Sequence, residues 1–169
     1  MSSVVVIADW IKRVADDERK RDAMRLAEAE EVARKADLVR LHGRRLVDEL
    51  QAAVRRDVES FRNEFPDDPA RNIVVDATQA DGGFVVRNPG SPPVSLTVEP
   101  RLEAATLGCC YRFTSTGGLP PRDDRFELVF AGDGGGVLQV KHQGTWRVFA
   151  TADALSEFLL VPVFTGRPR

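Results

Sequence analysis

The side chains equipped for chemistry are few. Two cysteines stand side by side at Cys109 and Cys110, and the only histidines are His42 and His142. A cysteine nucleophile needs an imidazole within hydrogen-bond reach. His142 offers the one route, because it is in phase with Leu138 and Val140 and so shares the inner face expected for Cys109. Alternation fixes a face and not a distance, so inert thiols are expected: Cys109 packed as a small hydrophobe, Cys110 facing the other way. Strand neighbours that point apart do not form a disulfide, and without a Cys-x-x-Cys pair no metal site is assigned.

The remaining candidates read the same way. Asp67-Asp68 and Asp123-Asp124 sit beside prolines, where aspartate favours turns through bonds to its own backbone. Gly134-Gly135-Gly136 lacks the lysine of a phosphate-binding loop and leads into a strand, so it reads as a hairpin. Arg34, Arg45 and Arg56 align on one helical azimuth, with Arg44 and Arg55 in a second row. Asp37, Asp48 and Glu59 lie three residues on from the first row and largely cancel its field, which argues for a solvated face and against phosphate binding. The formal net charge of −2 gives no overall pull on polyanions. No catalytic, cofactor-binding or metal-binding residue is assigned, and no cofactor is expected.

These groups hang on two stretches of different grammar. From Val4 to His42 there is neither glycine nor proline, and Gly43 is the only breaker before Pro66. The pattern predicts a helical arm over residues 1–65, continuous or bent at Gly43. Residues 1–65 carry 14 basic and 14 acidic side chains against 10 and 12 in the remaining 104, and this drop in charge density places the boundary at Phe65-Pro66.

Residues 32–64 repeat every eleven positions. Val32, Gly43 and Val54, then Ala36, Val47 and Val58, then Val39, Leu50 and Phe61 make one stripe. An eleven-residue period holds such a stripe nearly straight along a helix, which suits packing on a sheet or in a right-handed bundle. Asp16–Glu31 has 7 acids and 4 bases and reads as a solvated stretch tied by local pairs such as Asp17 with Arg21.

Beyond Pro66 the period changes to two. Val94, Leu96 and Val98, then Leu107, Cys109, Tyr111 and Phe113, then Phe126, Leu128 and Phe130 each alternate with polar residues. With Asn72–Thr78, Gly83–Arg87, Val137–His142 and Trp146–Ala150, about seven antiparallel strands are predicted. Asp81-Gly82 suits a type I′ hairpin and Gln143-Gly144 a tight turn. Longer loops are expected at Pro89–Pro93 and Thr116–Asp124. Thr151 caps a short closing helix that carries Leu155, Phe158 and Leu159 and is limited by Pro162. The fold class is α+β, a long N-terminal helix packed on the sheet, with residues 66–169 as the β domain.

The functional expectation follows from what has no local core. Ile7, Trp10, Ile11 and Val14 lie on one face of a helix that outruns a domain of about 100 residues, so the tip needs a partner, either a second copy or another protein. This points to a non-enzymatic interaction or assembly protein. The alternative is a small-ligand or sensory domain, with Tyr111, Phe113, Phe126, Phe130 and Trp146 lining a sheet face around an apolar molecule; an enzyme ranks third. No apolar run approaches a membrane span, Val4–Ile7 is too short for a signal peptide, and a cytoplasmic setting with reduced thiols follows by default.

Overall fold

The computed structural model describes residues 8–77, 80–90, 92–115, 117–132 and 135–168. Helix α1 spans Asp9–Asn63 without interruption at Gly43. Seven strands follow: β1 (Val74–Ala77), β2 (Phe84–Asn88), β3 (Val94–Arg101), β4 (Thr106–Phe113), β5 (Arg122–Gly132), β6 (Leu138–His142) and β7 (Val148–Phe149). They form one antiparallel sheet in the order β1-β2-β3-β4-β5-β6-β7. Helix α2, Ala152–Thr165, closes the fold. The chain divides after Ala36 into two units, and residues 37–63 of α1 belong with the sheet and α2 in the second.

In that second unit one face of α1 is buried: Val39, Gly43, Val47, Leu50, Val54 and Val58 join one core with the inner faces of the strands and with Leu155, Leu159, Leu160 and Val163 of α2. Burial starts at Val39, while Val32 is 69% exposed. Gly43 is one of the buried positions of this face. A Cβ there would stand 3.2 Å from Leu102 Cδ2, so the missing side chain lets Leu102 rest against the helix.

The inner faces follow the expected alternation, with Val94, Leu96 and Val98 of β3 and Leu107, Cys109, Tyr111 and Phe113 of β4 buried. Register confirms the pairing, as in Leu96↔Tyr111 and Cys109↔Phe126.

Several local expectations change. Asp123 and Asp124 lie in β5 and not in a loop, because the ladder with β4 continues through Arg112↔Asp123 and Tyr111↔Asp124. The Asp81-Gly82 turn is not type I′: Gly82 has φ +91° but Asp81 stays at negative φ and accepts the Gly83 N–H at 2.9 Å. A Cβ on Gly82 would be 2.7 Å from Val47 Cγ1, so the turn is shaped by its contact with α1. Thr78, Gly134 and Ile7 lie outside the described residues.

Pro162 does not end α2. The helix continues to Thr165 and stops at Gly166, whose N–H donates to the Pro162 carbonyl. Packing holds that last turn in place. Pro162 is itself buried, Phe164 stacks on Phe61 at 4.1 Å, and Asn88 Nδ2 donates to the Val163 carbonyl at 2.7 Å.

Candidate functional site

The arm comes first. Within residues 8–36 nearly every side chain is exposed, including Trp10 at 61%, Ile11 at 42% and Val14 at 52%. At positions i, i+1 and i+4 these three share one helical face. Local ion pairs run along the same stretch, Glu18 with Arg21 at 2.7 Å and Asp22 with Arg25 at 3.3 Å. Arg21 thus takes Glu18 and not Asp17.

Partner choice also differs in the repeat. Arg34 bonds Glu31, Arg45 bonds Glu49, and Arg56 reaches both Asp57 and Asp153 of α2, so none uses the acid three residues on. The second arginine row has a structural task that charge counting missed. Arg44 donates to the Ala80 carbonyl at 2.5 Å and Arg55 to the Val75 carbonyl at 3.3 Å, tying α1 to β1 and to the turn that follows it. Their eleven-residue spacing was the available signal.

The cysteine and histidine candidates do not converge. Cys109 is paired across β4–β5 with Phe126, while His142 in β6 sits opposite Leu128, so two strand spacings and a two-residue offset along β5 put the two roughly 12 Å apart. His142 Nδ1 accepts the Thr145 N–H at 3.0 Å. Burial pushes the Cys109 thiol well above its usual pKa, with the neighbouring Cys110 adding to the rise. Cys110 is also raised, chiefly by burial, with Arg125 and Arg112 opposing and Asp123 and Asp124 reinforcing.

A pH dependence follows. Because the folded-state pKa of Cys109 is raised, its contribution is intact below the usual thiol value of 9.0 and is lost as pH rises above it. Unfolding titrations should show stability falling above that value by up to about 1.4 kcal/mol per pH unit more in the parent than in Cys109→Ala. Equal slopes would remove this account of the thiol.

Of the five aromatic residues expected on one sheet face, three meet. Tyr111, Phe113 and Phe126 line a hollow of about 220 Å³ with Phe158 and Pro162 of α2. His142 and the carboxylate of Asp124 complete its wall. Phe130 is instead fully buried in the core, and Trp146 is 67% exposed, at φ +58° in the β6–β7 turn and outside any strand.

The rings are set at an angle to one another. Phe126 and Phe158 stand at 89° with centroids 6.0 Å apart, and Tyr111 lies 5.8 Å from Phe126 with its hydroxyl donating to the Leu159 carbonyl. A larger groove of about 790 Å³ runs past Phe65, Asp68, Arg71 and Arg55. There Asp68 caps the Pro69–Arg71 turn and pairs with Arg71, and Arg71 stacks 4.2 Å over Phe65.

No protein-family model matches this chain, no curated protein is similar to it at a significant level, and no solved structure matches it. Function therefore rests on the residues themselves. Among the described residues no helix is long and apolar enough to cross a membrane, and no group of three or more His, Cys, Asp and Glu side chains is placed to hold a metal ion.

Proposed function

We propose that the chain is a non-enzymatic assembly protein whose N-terminal helical arm pairs with the arm of a second copy. The observation that carries this reading is the exposed apolar face of Trp10, Ile11 and Val14 in a unit none of whose described residues is buried. What favours a second copy over another partner is the order of side chains along that face.

At helical spacing the face reads Ile11, Val14, Glu18, Arg21 or Asp22, Arg25, Ala29 and Val32. Laid antiparallel about a two-fold axis between Arg21 and Asp22, Ile11 meets Val32 of the second copy and Val14 meets its Ala29. Glu18 then meets Arg25, and Arg21 meets Asp22, so apolar faces apolar and each acid faces a base. A parallel pairing would set Glu18 on Glu18 and Arg25 on Arg25. The in-chain pairs Glu18–Arg21 and Asp22–Arg25 would join across the axis into one eight-charge network. The reduced thiols Cys109 and Cys110 suit an assembly in a reducing, cytoplasmic setting.

Light scattering after size exclusion tests this on the whole chain. A dimer is expected. Glu18→Arg and Arg25→Glu should each weaken it by at least about tenfold, since each reversal places like charges together twice. Combining the two should restore it, because the cross-chain pairs return while the in-chain pairs do not. A parent that stays monomeric at high concentration, or a double reversal no better than the single ones, would remove the antiparallel pairing.

A further inference from the structure

We infer that the aromatic hollow between β4, β5, β6 and α2 is a binding site for a small organic cation, of the alkylammonium or quaternary ammonium class. Its walls are mostly aromatic rings. Phe126 and Phe158 meet at right angles, Tyr111 flanks Phe126, and Phe113 lies 5.7 Å beyond Tyr111. The faces of such rings carry the negative end of the ring quadrupole and attract positive charge.

The charge set inside the hollow points the same way. Asp124 projects from the inner face of β5 and is half-buried, and its carboxylate makes no ion pair or hydrogen bond among the described residues. No lysine or arginine joins the lining, and Asp124 is its one acidic side chain. Arg125, next to Asp124 in sequence, alternates to the outer face and sits 3.9 Å from Asp123. The same ring cluster already draws one cation belonging to the chain: the Arg147 guanidinium lies 5.0 Å over Phe149 and 5.7 Å over Phe158.

Size sets the ligand's scale. About 220 Å³ is below the usual range for a drug-sized ligand, so the hollow takes a fragment, or the charged tip of a longer molecule. An apolar molecule alone, the simpler ligand for an aromatic slot, leaves the Asp124 carboxylate without a counter-charge. That difference separates the two cases experimentally.

The test is an NMR titration of the full chain with choline chloride and, separately, with its neutral isostere 3,3-dimethylbutan-1-ol. Tyr111 is the only tyrosine and His142 one of two histidines, so both report directly, with His42 as the internal reference. Choline should shift Tyr111 and His142 saturably and leave His42 in place, and the alcohol should bind at least about tenfold more weakly. Asp124→Asn should lose about tenfold in choline affinity with little change for the alcohol. Phe158→Leu, which keeps an apolar wall but removes the ring face, should act in the same sense. Absence of saturable binding by about 50 mM would overturn the inference. So would equal binding of the alcohol, or choline affinity that survives both substitutions.

Discussion

Replacing Leu50 by alanine is expected to lower the stability of the second unit by about 2–5 kcal/mol, measured as the change in urea-unfolding free energy. Leu50 is fully buried at the centre of the α1 stripe, among the strand residues and the α2 residues of the same core. Truncation removes buried methyl groups and leaves a cavity that a packed interior refills only in part. The control lies on the same helix. Leu41 is 66% exposed, and Leu41→Ala should stay within about 0.5 kcal/mol of the parent. Both changes carry the same helix-propensity term, so their difference isolates packing. Similar losses at the two sites would mean that α1 does not rest on the sheet as described.

The second large effect concerns a polar group. Asn88 is buried, its Nδ2 donating to the Val163 carbonyl at 2.7 Å while its Oδ1 accepts the Gly90 N–H at 2.9 Å. Asn88→Asp keeps the shape and the second bond, but turns the donor into an oxygen facing a carbonyl and brings a charge into the interior. A loss of about 3 kcal/mol or more is expected at neutral pH. Asn88→Ala leaves two backbone groups unpaired without adding charge, and should cost less, about 1–3 kcal/mol. The order of the two variants is the sharper reading. If alanine proved the worse substitution, the amide would not be spanning from β2 to α2 in this sense.

What the sequence revealed and what it hid divide along the range of the interactions. Strands such as Val94–Arg101 and Thr106–Phe113 were legible because alternation is a local property that burial of one face imposes. The long helix was legible because no residue interrupts it before Pro66. Pro162 misled, since a proline ends an isolated helix, whereas here the Phe164–Phe61 stack and the Asn88 bond hold the turn beyond it. Asp123-Asp124 misled for a similar reason: turn propensity is weaker than a ladder that continues along a partner strand. The hollow was legible only in part, since alternation put Tyr111, Phe113 and Phe126 on one sheet face but did not mark what joins them there. It joins Tyr111, Asp124, His142 and Phe158 from four elements, and no spacing in the chain marks their approach.

The strictly sequential order of the sheet bears on how the chain is made. Each strand pairs only with those beside it in sequence, so the sheet can grow hairpin by hairpin at little cost in loop closure. Its covers, however, arrive at opposite times. During synthesis the covering part of α1 precedes every strand, whereas α2 follows them all. Tyr111, Phe126 and Phe149, which pack towards α2, therefore wait for that helix after their own strands have paired. In that interval a wide aromatic surface is open to neighbouring chains, and the nascent protein is most exposed to aggregation just before Ala152–Thr165 becomes available to close it.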